Sequence, residues 1–248
     1  MEKYITADGS ITFYNEEFEE HYHSKTGARE EALKKHVTPA LEYLKSEKQL
    51  ENIEYIKILD FCFGLGYNSY VFIEEIRKIL PNIKIKVIGL ENDIDIINEG
   101  KKIFKDFFDK YIYPDDNVEI ELIIGDAKVE VNKLSIEMNK NNMTPEEEFK
   151  EVIKDYKNKD ITFSNDSSKE KKEKFSICFF DAFSPGKCPD LWTEDVFMDI
   201  FSIMKEKSIL TTYSCARKPR RNMESAGFIV KDGPCVGRWA PSTNAIKE

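Results

Sequence analysis

Ile56-Lys57-Ile58-Leu59-Asp60-Phe61-Cys62-Phe63-Gly64-Leu65-Gly66-Tyr67-Asn68 reads as a buried strand that ends in an acid, bends through a glycine turn and opens a helix. Gly64 and Gly66 carry no Cβ, so the backbone can turn tightly and approach a ligand there. Such a turn sits at the carboxyl edge of a parallel sheet, where open α/β folds bind nucleotide-like ligands.

Downstream, a helix is expected over Asn68–Leu80, a strand over Ile85–Leu90 ending at Glu91, and a helix over Asp95–Phe108. Strand Val118–Ile124 ends at Gly125-Asp126-Ala127, and strand Phe175–Phe180 ends at Asp181. Helix Glu194–Met204 leads into strand Ser208–Tyr213; a helix over Pro219–Ala226, closed by Gly227, precedes a last strand, Phe228–Lys231. This alternation implies an α/β class: a mostly parallel sheet with helices on both faces. Residues 132–174 break the rhythm with Lys, Glu, Asn and Ser, and read as a polar insertion with one helix over Pro145–Tyr156. Residues 1–50 read as an N-terminal extension packed on a domain of residues 51–248. The extension has a turn at Thr6–Ser10, a strand Ile11–Tyr14 that an earlier strand can pair with, and a helix over Ala28–Leu44 that Pro39 kinks or breaks.

A net charge of −9 argues against a protein that coats itself in nucleic acid through global charge, although it leaves room for a local basic patch. No apolar run is long enough to span a bilayer and the N-terminus lacks the core of a signal peptide, so no membrane contact is expected. Cys62, Cys178, Cys188, Cys215 and Cys235 form no CxxC pair. Cys62 and Cys178 read as small buried strand thiols, and a reduced, cytoplasmic setting is expected. His21 and His23 stand two apart with no completing acid or thiol pattern, so no metal is expected.

Three acids end successive strands. Glu91 lies about 30 residues past the glycine turn, on the spacing a βαβ unit allows, where a carboxylate can accept both hydroxyls of a ribose. Asp126 can meet an adenine amino group, and Asp60 can receive a charged amine or a hydrogen bond. So much negative charge suits S-adenosylmethionine, which carries a sulfonium and an ammonium and no phosphate, better than a pyrophosphate cofactor. The turn also reads Gly-x-Gly-x-Asn, short of the full dinucleotide fingerprint.

Asp181-Ala182-Phe183-Ser184-Pro185, with Pro189 and Trp192 behind it, forms a proline-stiffened loop beside that site. A carboxylate there can orient an amine and take its proton. Phe183 and Trp192 either stack on a base turned out of its helix or belong to the core. Arg217, Lys218, Arg220 and Arg221 crowd the start of the next helix, where they either contact RNA phosphates or form a solvated helix start.

At these residues the chain resembles the methyltransferase domain of the MnmC type, which completes 5-methylaminomethyl-uridine at the tRNA wobble position. The matching pieces are Asp8-Gly9-Ser10-Ile11-Thr12, Tyr22-His23-Ser24 with Gly27-Ala28, Leu59–Asn68, Gly125-Asp126-Ala127, Asp181–Pro185, Leu191-Trp192-Thr193 and Thr212-Tyr213-Ser214. The resemblance implies a class I S-adenosylmethionine-dependent methyltransferase fold and an aminomethyl-uridine in tRNA as acceptor. It places Asp60, Phe63, Gly64, Gly66, Asn68, Glu91, Asp126 and Ala127 around the donor, with Tyr22 and His23 over it or at the entrance. Asp181 falls at the reacting amine, and Phe183, Pro185, Trp192, Arg217, Arg220 and Arg221 on the substrate side. Cys62 and Tyr67 depart from the family's glycine or small residues, and the segment 237–241 matches its basic ending loosely. Bifunctional members continue into a flavin-dependent oxidase; this chain stops at Glu248, so no FAD chemistry is expected. A spermidine-synthase-like aminopropyltransferase, a small-molecule amine methyltransferase and a non-catalytic RNA-binding module are the alternatives.

Overall fold

The computed structural model describes residues 2–51, 53–107, 109–110, 117–140 and 173–248. Among the described residues ten strands form two sheets: β1 (Glu2–Ile5), β2 (Ile11–Asn15) and β3 (Glu20–His21) make a small antiparallel one. The large sheet contains β4 (Tyr55–Phe61), β5 (Lys84–Glu91), β6 (Val118–Ile124), β7 (Phe175–Phe180), β8 (Met204–Thr212), β9 (Ile229–Asp232) and β10 (Thr243–Lys247). Their order is β6-β5-β4-β7-β8-β10-β9, with β10 antiparallel to both neighbours and β6, β5, β4, β7 and β8 mutually parallel. The chain builds outward from β4 in one direction and then restarts at β7 in the other. That reversal opens a crevice at the carboxyl ends of β4 and β7.

The central strands are buried on both faces, as a parallel sheet requires. Ile56 and Ile58 of β4, Ile85 and Val87 of β5, and Ile177 and Phe179 of β7 face one core. Leu59, Phe61, Leu90, Cys178 and Phe180 face the other, where the Phe61 and Phe180 rings stack at 4.5 Å. The first core is covered by α3 (Tyr67–Ile79), α4 (Ile94–Ile103), the short α5 (Lys105–Phe107) and the N-terminal helices, the second by α6 (Ala127–Lys140), α7 (Glu194–Ile203) and α8 (Arg217–Ser225).

Two expectations need correction, one strand was missed, and one expected helix is not tested. Residues 132–140 continue α6 and do not open an insertion. Ala127, Val131, Leu134 and Met138 give the helix a buried row at helical spacing that its Lys and Asn content hides. The expected helix over Pro145–Tyr156 lies outside the described residues. β10 was not foreseen. Cys62 lies past the end of β4, in the turn, at φ 64.

The N-terminal helix does not stop at Pro39. α1 (Ala28–Glu31) passes through a π-helical turn, Ala32–Val37, into α2 (Thr38–Ser46), with Pro39 in the first turn of α2. The buried row Ala28, Ala32, His36, Ala40, Leu44 recurs every four residues. A 3.6-residue helix would let that row drift around its axis, and the wider π turn absorbs the drift.

Asp8 ties this helix to the small sheet. Its carboxylate accepts from Thr6 Oγ1 at 2.6 Å, Ser10 Oγ at 2.5 Å, and the amides of Ser10 and Glu30 at 3.0 and 2.9 Å. A Cβ on Gly27 would lie 2.5 Å from Asp8 Oδ2, so only glycine lets the helix start come this close. Burial alone would raise the Asp8 carboxyl, but these hydrogen bonds outweigh it and push it down to about 2. A group lowered on folding stabilises above its unfolded pKa and loses that stabilisation as pH falls through the folded one. Asp8→Asn is therefore expected to lower the urea midpoint near neutrality, with the deficit shrinking from about pH 5 to about pH 2. A deficit independent of pH would contradict this.

Candidate active site

Five consecutive strand ends meet at the crevice. β4 leads to Cys62, β5 ends in Glu91, β6 leads to Asp126, β7 to Asp181 and β8 to Tyr213, and all five side chains border one cavity of about 610 Å³. Backbone bonds lock the ends together: Asp181 N donates to Phe61 O at 3.2 Å, Phe63 N to Leu90 O at 2.9 Å and Gly125 N to Glu91 O at 2.9 Å. Glu20, Glu31, Glu91, Asp126, Asp181 and Asp190 line the cavity against only Lys35, Lys187 and Arg238, and Lys35 is already paired with Glu31. The surplus of carboxylates makes this a site for a cation.

The glycine turn meets the cavity at Cys62, while Gly64 and Gly66 lie behind it. Cys62, Gly64 and Gly66 take φ values of 64, 54 and 87, so three left-handed residues coil the chain within five positions. Cys62 is the one that pays strain, about 1–2 kcal/mol for a side chain in this region. Its burial pushes the thiol well up, which keeps it protonated and unreactive. Glu91 braces the turn: Oε2 accepts from Gly64 N at 2.7 Å, and Oε1 from Asn92 N at 2.9 Å and Asp93 N at 3.0 Å. Burial raises its carboxyl and these three amides offset part of that. Three of its roughly four acceptor positions are thereby used, leaving about one for a ligand hydroxyl. Asp126 Oδ1 caps α6 through the amides of Lys128 and Val129 at 2.9 and 3.1 Å. Ala127, next to it, also lines the cavity.

Asp181 follows β7, on the other side of β4 from Glu91. Its Oδ2 accepts from Asn68 Nδ2 at 2.9 Å, and its Oδ1 lies 3.6 Å from His36 Nε2. Burial would raise this carboxyl, but His36, His23 and Asn68 together hold it well below the usual range. It is therefore an anion that accepts hydrogen bonds across the pH range of life.

The N-terminal segment supplies the roof. Tyr22 lies over the turn, 3.5 Å from where a Cβ on Gly64 would be, and its hydroxyl donates to Asp93 Oδ2 at 2.9 Å. Phe183 stacks on Phe18 at 4.6 Å and tilts against Tyr22 at 5.0 Å. His23 borders the cavity with Nδ1 buried and unpartnered, and burial pushes its pKa down. At the mouth, the Arg238 guanidinium donates to the carbonyls of Tyr213 and Pro241.

Other expected residues lie off the cavity. Asp60 is 0% exposed beneath the turn, with Oδ2 accepting from Ser69 Oγ at 2.5 Å and Oδ1 unpartnered. Phe63 is buried against Tyr70, and Gly66 serves as the N-cap of α3. Asn68 reaches the site through Asp181. Trp192, 2% exposed, packs on Phe180 and donates Nε1 to Phe183 O at 2.9 Å, so it props the loop from beneath and offers no face to a base. Pro185 is half-buried off the cavity wall. Arg220 pairs with Asp232 at 2.6 Å, while Arg217 and Arg221 are exposed on α8, outside the cavity. His36, Phe18, Lys187 and Arg238 are among the site residues that sequence reading missed. His36 alone carried a signal, its place on the four-residue row.

Among the described residues no group of three or more His, Cys, Asp or Glu could hold a metal ion, and no helix is long and apolar enough to cross a membrane. A family described as S-adenosyl-L-methionine-dependent methyltransferase matches residues 146–248. The chain is 27% identical over 252 residues to an uncharacterized protein of Methanocaldococcus jannaschii, covering 98% of this chain and 58% of that one. It is 36% identical over 66 residues to the tRNA 5-methylaminomethyl-2-thiouridine biosynthesis bifunctional protein MnmC of Campylobacter hominis, covering 27% of this chain and 10% of that protein. The chain thus spans between a tenth and three-fifths of these curated relatives. The crystal structure of MnmC2 from Aquifex aeolicus superposes with a TM-score of 0.72 at 26% identity, over 99% of this chain and 70% of that one. A spermidine synthase superposes with a TM-score of 0.50 at 14% identity, a likeness of fold alone.

Proposed function

We propose that this chain, which carries an S-adenosylmethionine-dependent methyltransferase domain of the MnmC type, methylates the primary amine of 5-aminomethyl-uridine, or its 2-thio form, at the wobble position of tRNA. The observation that carries this reading is Asp181, an ionised carboxylate at the head of β7, aimed by Asn68 across a cavity rich in acids.

The residues present fit the donor. The left-handed turn behind Cys62 carries no side chain at Gly64 or Gly66 that would crowd a ligand, Glu91 keeps an acceptor position for a ribose hydroxyl, and Asp126 keeps Oδ2 for an adenine amine. Bound there, S-adenosylmethionine supplies a methyl carbon on a positively charged sulfur. Tyr22 and Phe183 shut water out from above, and Phe183 gives a uracil ring a face to lie on. Asp181 accepts an N–H of the amine and so fixes where its lone pair points.

The mouth suits an RNA loop. Arg217, Lys218 and Arg221 are exposed at the foot of α8, and Trp239 is 99% exposed on the loop that Arg238 pins to Tyr213. Trp239→Ala is expected to raise KM for tRNA about tenfold and leave donor affinity unchanged, because one stacked base is worth roughly 1–3 kcal/mol. An unchanged KM would remove Trp239 from the interface. A cytoplasmic setting goes with this reading.

The proposal is tested with tRNA bearing 5-aminomethyl-uridine and isotopically labelled donor, followed by nucleoside mass spectrometry. Label in 5-methylaminomethyl-uridine supports it. Methyl label found only on added putrescine would replace it with methylation of a small-molecule amine, and spermidine formed from putrescine and decarboxylated donor would replace it with aminopropyl transfer.

A further inference from the structure

One buried titratable group has no task in that scheme. His36 is 1% exposed, yet its ring borders the cavity, carried there by the π turn. Its Nδ1 lies 3.2 Å from Thr211 Oγ1, a hydrogen bond between residues 175 positions apart, while its Nε2 stands 3.6 Å from Asp181 Oδ1, longer than one. Either partner can donate in the Nδ1–Thr211 bond; a base at Nε2 requires Nδ1–H as the donor, which gives Nε2 an unprotonated lone pair toward the carboxylate. The other groups around His36 do not compete for that position. Thr211 on β8 is uncharged, and Phe179 on β7 meets the imidazole edge-on at 6.2 Å. His23 approaches from the segment after β3, and on the same helix Lys35 is closed on Glu31.

A primary alkylamine reaches an enzyme near neutral pH mostly as its ammonium ion, by analogy with lysine at about 10.4. An ammonium ion has no lone pair, so a proton must leave before an N–C bond can form. Resting on the substrate reading above, we infer that His36 Nε2 is the final acceptor of the proton that the substrate ammonium sheds through Asp181. An N–H bond of the ammonium breaks, the Asp181 carboxylate passes the proton on, and an Nε2–H bond forms. The positive charge moves from the substrate to the imidazolium, which now faces Asp181 as an ion pair. The freed lone pair forms the N–C bond while the C–S bond breaks and its electrons stay on sulfur. The imidazolium returns its proton to water once the cavity reopens. Because His36 acts through Asp181, it is a positioning residue and proton store.

His36→Gln keeps a hydrogen-bonding side chain but takes up no proton. At about pH 7 it is expected to lower kcat on aminomethylated tRNA by about 100-fold with donor affinity unchanged. The deficit should shrink toward about pH 9.5, where hydroxide removes the amine proton directly. Thr211→Val, which keeps the imidazole and removes the partner of Nδ1, should show a smaller deficit with the same trend. A third readout needs only the folded wild type: the chain has 3 histidines, and long-range ¹⁵N spectra should show His36 as the Nδ1–H tautomer. A deficit constant across pH, wild-type turnover in His36→Gln, or an Nε2–H tautomer would overturn the inference while the substrate reading stands. A wild type that binds donor but leaves this tRNA unmodified would overturn both.

Discussion

Asp181→Ala is expected to abolish methyl transfer, with kcat down by about a thousandfold or more, while the affinity for S-adenosylmethionine changes less than about twofold. The split follows from where the side chain stands. Asp181 follows β7, on the far side of β4 from Glu91; it is tied to Asn68 at 2.9 Å and faces His36, and it makes none of the bonds by which Glu91 braces the glycine turn, so its loss leaves that brace intact. What disappears is the acceptor that orients the amine and receives its proton. Stability should fall only modestly: an anion that burial disfavours is removed, although Asn68 Nδ2 loses its partner. Single-turnover kinetics beside calorimetric titration of the donor separate the two effects. Normal turnover would show that Asp181 has been given the wrong role.

Glu91→Ala is expected to do the opposite, striking the donor site and the fold together. Its two oxygens hold the amides of Gly64, Asn92 and Asp93, and so fix the glycine turn to the end of β5 and the start of α4. An alanine strands all three. An unsatisfied buried amide costs about 1–3 kcal/mol, and with relaxation and water the total should be about 2–4 kcal/mol. Donor affinity should fall about 100-fold or more, since the turn loses its brace and the ribose its acceptor. Glu91→Gln keeps one acceptor oxygen and should fall between. Denaturant unfolding and titration calorimetry measure both consequences. Unchanged stability would mean that the turn holds itself.

The same pair of residues shows what the sequence could and could not convey. Acids ending apolar strands, and glycines opening a helix, are local signals, and Glu91, Asp126 and Asp181, which carry them, line one cavity. Distant partnerships were not legible. Asp60 shares the local signature, but it points at Ser69 beneath the turn, a choice made by strand pleat and helix packing. Trp192 could equally be core or platform until its indole found the carbonyl of Phe183. His36 follows two lysines in a charged helix and reads as surface; only the π turn forced by a four-residue buried row brings it to Asp181. β10 went unseen because Thr243-Asn244-Ala245-Ile246-Lys247 has little apolar content and follows a loop rich in glycine and proline. It earns its place between β8 and β9 through backbone pairing. Asp8 and Ser10, part of the stretch read as a family signature, have a structural task, holding the start of α1 against the small sheet.

The account rests on one arrangement: a sulfonium donor lying along the carboxylate-lined strand ends with its methyl carbon turned toward Asp181. A crystal structure with bound S-adenosylhomocysteine tests it directly. The prediction is a ribose hydroxyl on Glu91, the adenine beside Asp126 and Ala127, and the sulfur facing Asp181 beneath Tyr22 and Phe183. A sulfur turned away from Asp181, or a ligand seated elsewhere on the molecule, would contradict it.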